Sequence, residues 1–274
     1  AGMNVLEIGT GTGYNAALLA ERSGPGHVVT MEVDPTIADH ARTALTKTGY
    51  SIIVITADGA LGHPDRAPYD RVIATAATPK VPYSWVEQTR PAGRIVAPLL
   101  GTFQYGALAC LTVHDDGTAD GRFHGEASFM PLRARRPQPV PWPLTEDHAR
   151  TSTTTLYPHE PFNQFDAAVA IGSILPECTT GHTRRDNIES LRLFHADTQS
   201  WAALTPATHN SAHYTIAQYG PRRLWDELEA AYHWWIDAGR PDHTRVGITV
   251  TPEEQTFWLD TPQHPLPSMK RRAV

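Results

Sequence analysis

An apolar run, an acid and three glycines at alternate positions stand near the start of the chain: Val5-Leu6-Glu7-Ile8-Gly9-Thr10-Gly11-Thr12-Gly13-Tyr14-Asn15-Ala16-Ala17-Leu18-Leu19. The pattern predicts a short buried strand, a turn too tight for side chains, and a helix that opens at once. Such a junction points backbone N–H groups and a helix N-terminus at whatever sits beyond the end of the strand. A glycine triplet alone also serves any tight strand-to-helix turn, so the acids around it carry the discrimination.

The same alternation continues downstream. Val5–Ile8, His27–Val33, Ser51–Thr56, Tyr69–Thr75, Arg94–Pro98 and Ala107–Val113 read as strands. Asn15–Arg22, Pro35–Thr46 and Trp85–Thr89 read as helices, the last ended by Pro91-Ala92-Gly93. Apolar strands interleaved with amphipathic helices predict an α/β fold, a parallel sheet covered by helices on both faces. Asp115-Asp116-Gly117-Thr118 marks a hairpin turn leading into Gly121–Met130, read as an antiparallel strand at the sheet edge.

Composition changes at Arg133, where RARRPQPVPWP places three arginines and four prolines in eleven residues. Proline holds such a segment extended, and its charge reads more simply as a solvated linker than as a substrate-contacting patch. Beyond it, Ser190–His195 and Ser200–Leu204 predict a hairpin around Ala196–Gln199, and His213–Gln218 a further strand. Pro221–Ala238 predicts a helix, closed by Gly239 and Pro241, with Leu224, Leu228, Ala231, Tyr232 and Trp235 on one stripe. Arg245–Val250 and Gln255–Leu259 read as strands joined at Thr251-Pro252-Glu253-Glu254. The expected organisation is a cofactor domain over residues 1–132, a linker over 133–160, and a smaller α+β domain over 161–274. Trp201, Trp225, Trp234, Trp235 and Trp258 are expected to build the core of the last.

The acids choose the ligand. Glu32 closes the second strand about twenty residues after the glycines, where a carboxylate accepts from ribose hydroxyls. A dinucleotide site prefers G-x-G-x-x-G, with a helix N-terminus on a pyrophosphate; here the pattern is E-x-G-x-G-x-G. Glu7 would repel a pyrophosphate but suits the ammonium group of an amino-acid tail. S-adenosylmethionine has that tail and no phosphate, and a nicotinamide dehydrogenase is disfavoured. Asp58-Gly59 follows the third strand; Asp58 is placed to accept from an adenine amine and Gly59 to leave room for the ring, although an Asp-Gly pair by itself is an ordinary turn.

Bulk properties remove other classes. A formal net charge of −6 and a pI near 6.1 argue against nucleic acid and anionic membrane as partners. Two cysteines, Cys110 and Cys178, make neither a disulfide framework nor a zinc site. No run of eighteen apolar residues and no signal peptide is present, so a soluble, cytoplasmic protein is expected. Fourteen histidines form no ligand pattern; His209 and His213 lack a third partner, and no metal is expected. Ser23, Ser128 and Ser173 have no nucleophile-elbow context.

At the level of longer segments, VLEIGTGTGYNAALLA, ADGALGHPDRAPYDRVIATAA, EQTRPAGRIVAPL and SFMPL, in that order from Val5 to Leu132, resemble the protein-L-isoaspartate O-methyltransferase family. The resemblance implies a Rossmann-like sheet that binds S-adenosylmethionine through Glu7, Gly9, Gly11, Gly13, Glu32, Asp58 and Gly59. It also implies that the backbone of Thr75-Ala76-Ala77 lies near the acceptor carboxylate. The family's substrate loop, with its serine, precedes the glycine motif and is missing from this sequence, which suggests an absent N-terminal segment. The stretch QYGPRRLWDELEAAYHWW further resembles an extended actinobacterial form encoded beside ribosomally made peptides such as lanthipeptides and graspetides. That likeness implies esterification of an aspartate in a modified peptide, followed by collapse to an aspartimide or isoaspartate. General repair of isoaspartyl proteins is the alternative, and a catalytically inactive peptide-binding accessory protein a second. In each case the partner is a peptide or protein.

Overall fold

A computed structural model describes residues 2–100, 106–133, 148–185, 188–206 and 213–267. Strand β1 (Val5–Ile8) is buried at all four positions, as a strand covered on both faces must be. Beside it run β2 (Val28–Glu32) and β4 (Tyr69–Ala74), both parallel to it, with β3 (Ile53–Thr56) beyond β2. Helix α1 (Tyr14–Ser23) connects β1 to β2, and α2 (Pro35–Lys47) connects β2 to β3. Asp34 caps α2, its Oδ1 accepting from Thr36 N at 2.9 Å and Ile37 N at 3.2 Å, with Pro35 preset for the first turn. The inner face of α2, Ala38 and Leu45, packs on Val54 of β3.

The short helix α3 (Tyr83–Glu87) leads into β5 (Thr89–Leu100), and the chain then turns antiparallel through β6 (Gly106–Val113) and β7 (Ala119–Glu126). The 115–118 turn forms as predicted: Gly117 has a φ of 80° and Thr118 N donates to Asp116 Oδ1 at 3.0 Å. The full sheet has nine strands. Its order is β14-β13-β7-β6-β5-β4-β1-β2-β3, where β13 is Val246–Val250 and β14 is Gln255–Leu259. Going along the chain, the sheet grows from β1 through β2 to β3, then restarts on the other side at β4. That reversal opens a crevice at the carboxyl ends of β1 and β4.

Two expectations are corrected here. The strands at 246–259 form, but they belong to the large sheet rather than to the C-terminal domain, since β13 pairs antiparallel with β7 from Gly247↔Arg122 to Val250↔Ala119. Strand β7 is consequently not an edge. Packing explains the placement: a Cβ on Gly247 would lie 2.1 Å from the indole of Trp258, so only glycine lets that ring lie on the strand. Arg122 sits over the same ring, 5.3 Å from its centroid. Periodicity reveals a strand but not its neighbours. Trp258 therefore belongs to the first unit.

Among the described residues the first unit comprises 2–100, 106–133 and 247–263, and the second 148–185, 188–206, 213–246 and 264–267. The second unit is an antiparallel sheet in the order β8-β12-β11-β10-β9. Its strands are β8 (Arg150–Thr154), β9 (Cys178–Arg185), β10 (Ile188–His195), β11 (Ser200–Pro206) and β12 (Tyr214–Tyr219). The hairpin around 196–199 is present, closing on the pair His195↔Ser200. Helices α4 (Phe165–Ile174) and α5 (Leu224–Asp237) pack together. The predicted stripe of α5 is buried throughout, Trp235 inward and Trp234 only half-buried. The region 133–160 is not simply a linker, because β8 lies in it; residues 134–147 fall outside the described ones. Among the described residues no helix is long and apolar enough to cross a membrane.

Candidate functional site: the crevice at the ends of β1 and β4

The chain leaves β1 at Gly9 with a φ of 97°, a conformation that L side chains rarely adopt. A Cβ there would also stand 2.9 Å from Thr75 Oγ1. The closeness has a use, because Thr75 Oγ1 donates to the Gly9 carbonyl at 2.6 Å and fastens the loop to the end of β4. Gly11 differs: its φ is 53°, yet nothing lies within 4 Å of where a Cβ would be. Its backbone faces open space, which a close-lying ligand needs. Gly13 completes the turn against Leu45 of α2, with α1 starting at the next residue.

Glu32, half-buried at the end of β2, accepts from Gly11 N at 3.1 Å through Oε2 and from Asp34 N at 3.2 Å through Oε1. Two backbone donors thus orient a carboxylate whose remaining lone pairs are available to hydroxyl donors. Ala57 N donates to the Glu32 carbonyl at 3.0 Å, which brings Asp58 to the neighbouring strand end. Asp58 is half-buried; its Oδ1 caps its own turn by accepting from Ala60 N at 2.9 Å.

Three residues of the expected site, Glu7, Gly59 and Ala77, are engaged by the protein itself. Glu7 is fully enclosed, and its oxygens accept from Asn15 Nδ2 at 2.7 Å and Thr30 Oγ1 at 2.6 Å. It knits α1 to β2, and burial pushes its carboxyl above the ordinary 4.5 despite these two bonds, which act the other way. At Gly59, expected to leave room for the adenine ring, a Cβ would come 2.5 Å from Ile8 Cγ2, so the missing side chain also lets β1 pack close. Its carbonyl accepts from Trp85 Nε1 at 2.8 Å. The N–H of Ala77, expected to face an acceptor, is instead donated to the Met130 carbonyl at 2.9 Å. Thr75 and Ala76 remain half-buried at the crevice wall.

Sequence reading missed the partners that hold this frame. Thr30, Asn15 and Trp85 carry no motif of their own. Arg133, read as linker, pairs with Asp34 Oδ2 at 3.0 Å. That pair, after the bond from Ile37 N, holds the Asp34 carboxyl below its ordinary value.

Outside the crevice, two groups with potential ligand atoms appear where the sequence suggested none: Asp166, Asp242 and His243, and Glu177, His195 and Asp197. In the first, Asp166 Oδ1 is engaged by His243 N at 2.9 Å and His243 Nδ1 at 2.7 Å, while Asp242 Oδ1 accepts from Thr244 N at 2.8 Å. These bonds read as the fastening of one helix end. His209 lies outside the described residues. Cys178 is buried, its thiol pushed up to about 12 chiefly by burial; Cys110 is half-buried.

A doubly wound sheet with a glycine loop, an oriented acid at the end of β2 and a switch-point crevice defines a nucleotide-type cofactor domain. Comparison with known proteins sharpens the class. The family model for Protein-L-isoaspartate(D-aspartate) O-methyltransferase (PCMT) matches residues 1–137, half of the chain, and the chain belongs to this family. The protein-L-isoaspartate O-methyltransferase of Methanopyrus kandleri is 44% identical over 134 residues, which cover 48% of this chain and 59% of that protein. That of Staphylothermus marinus is 44% identical over 138 residues, 47% of this chain and 60% of that protein. The chain thus spans about three fifths of the length of the curated relatives it matches. A solved protein-L-isoaspartate O-methyltransferase has the same fold with a TM-score of 0.51 at 20% identity, over 95% of this chain and 76% of that one. That fold likeness is not confined to the first unit.

Proposed function

We propose that the chain is an S-adenosylmethionine-dependent carboxyl O-methyltransferase acting on isoaspartyl residues of proteins. The observation that carries this reading is Glu32, held by Gly11 and Asp34 beside a loop open above Gly11. The residues fit the cofactor: an acid oriented for ribose hydroxyls, a second acid at the end of β3 for an adenine amine, and a backbone with no side chain in the way.

When bound, the cofactor supplies an electrophilic methyl group on a sulfonium. The acceptor carboxylate is ionised at neutral pH, its unperturbed pKa being about 4, and no general base is required. The protein's task is to place one carboxylate oxygen in line with that methyl and to keep water out. At the wall formed by the end of β4 the Thr75 N–H is taken by the Ile8 carbonyl, so the neutral backbone of Ala76 is the part suited to position the oxygen without blunting its attack.

Methylation of isoaspartyl proteins in general has better support than a role in ribosomal peptide modification, because the matching family model and the relatives are named for protein-L-isoaspartate O-methyltransferase and none for peptide biosynthesis. The test is methyl transfer from labelled donor to two synthetic peptides differing only in an isoaspartyl or aspartyl linkage. The reading predicts label in the isoaspartyl peptide alone. Label in neither peptide, with cofactor bound, contradicts it.

A further inference from the structure

Beyond the end of β1 the sheet does not simply stop. Thr75 N donates to the Ile8 carbonyl at 2.8 Å, the last bond from β4 to β1. Two residues on, the side of the strand that faced β1 is taken by a different segment: Ala77 N donates to Met130 O at 2.9 Å, and Leu132 N donates to Ala77 O at 2.8 Å. The next residue, Thr78, bonds toward β5, through Pro98 and Leu100. Residues 130–132 therefore stand in the lane that β1 vacates when it turns into the glycine loop. Arg133 then reaches Asp34, just past the end of β2, on the far side of β1. The segment is a strap that crosses the strand ends from β4 to β2.

The contacts close into a ring. Gly9 is tied to Thr75, the strand carrying Thr75 to Met130 and Leu132, Arg133 to Asp34, Asp34 to Glu32, and Glu32 to Gly11. Every link but one is a hydrogen bond to or from the backbone, or runs along the chain. The exception is the Arg133–Asp34 ion pair, with side chains 52% and 24% exposed, where the ring is most easily broken.

We propose that Arg133 is a positioning residue for the cofactor cleft: by clasping Asp34 it holds the 130–133 strap across the crevice and slows ligand exit. This rests on the reading of the crevice as an S-adenosyl site. Asp34 is suited to the part because its Oδ1 is engaged in capping α2, leaving Oδ2 for the guanidinium. Met130, 77% exposed, rides on the strap, so opening the clasp also moves an exposed apolar side chain.

The test measures the dissociation rate of S-adenosylhomocysteine by stopped-flow for the 274-residue chain and for R133Q, R133K, D34N and R133Q/D34N, with amide exchange at Leu132 as a ligand-free readout. Asparagine caps a helix about as well as aspartate does, so D34N removes the charge pair and not the helix start. R133Q and D34N are expected to speed release about two- to five-fold, the range an exposed ion pair supports. The double variant should be no faster than either single one, R133K should recover part of the effect, and Leu132 exchange should rise in R133Q. Unchanged release in both single variants, or additive effects in the double variant, overturns the clasp while leaving the site standing. Failure of the unaltered chain to bind S-adenosylhomocysteine overturns both.

Discussion

Glu32 and Gly11 meet across the gap between β2 and the loop that follows β1, with Gly11 N 3.1 Å from Glu32 Oε2. One carboxylate thus shapes the loop and faces the space above it. Glu32→Ala is expected to weaken S-adenosylhomocysteine binding about tenfold or more, the loss typical of hydrogen bonds to a charged group. The fold should stay intact, with a loss of about 1 kcal/mol from the two backbone bonds to a half-buried carboxylate. Calorimetric titration beside a thermal melt separates the two effects.

Gly9 and Gly11 invite a paired comparison. Gly9→Ala combines a left-handed backbone with a Cβ 2.9 Å from Thr75 Oγ1, and should cost about 1–3 kcal/mol in urea unfolding. Gly11→Ala meets no protein atom within 4 Å. Its folding cost should be smaller, and its loss of cofactor affinity larger in proportion. Equal behaviour of the two variants would remove the distinction between a packed and a ligand-facing glycine.

Glu7 gives the fold a pH signature. Its pKa is raised in the folded state, so the folded protein holds a proton that the unfolded chain has released. The resulting contribution to stability is complete below the ordinary 4.5 and is lost as pH rises through the elevated value. Against Glu7→Gln, which cannot ionise, melting temperatures from about pH 4 to 8 should move in favour of the variant as pH rises. A gap independent of pH contradicts this assignment.

Gly59 and Ile8 are coupled by contact. Gly59→Ala places a methyl 2.5 Å from Ile8 Cγ2 and should destabilise by about 1–3 kcal/mol. Combined with Ile8→Ala, the two losses should sum to less than their parts, which chemical denaturation of the four species measures.

A truncation that ends before β13 should fail to behave as an isolated cofactor domain. It strips β13 and β14 from the large sheet and leaves β7 an unpaired edge, with Phe123 losing its stacking partner Phe257. Aggregation of this fragment is expected in size-exclusion chromatography; a stable monomer would contradict the assignment of these strands.

The strand-helix order of the first unit was legible because β1, β2 and β3 are short, largely apolar runs and the helix between β2 and β3 opens on Pro35. The glycine loop and Glu32 were legible because a positive φ and an acid at a strand end have chemical causes visible in one dimension. The partners of β13 were not, since Val246, Ile248 and Val250 announce a strand without naming its neighbour. Strand β8, in which only Thr154 is buried, offered no apolar alternation at all. The protein contacts of Glu7 and Gly59 were not legible: a polar or small residue in a motif suggests a ligand, and Thr30, Asn15 and Ile8 reach it from elsewhere in the chain. Arg133 was hidden in a basic run, and only the fold brings it to Asp34.

The most direct measurement is a calorimetric titration of the protein with S-adenosylhomocysteine, repeated with NAD. Saturable binding at one site per chain for the first, and none for the second, is the predicted result. Heat from the dinucleotide with none from S-adenosylhomocysteine would contradict the account at its root.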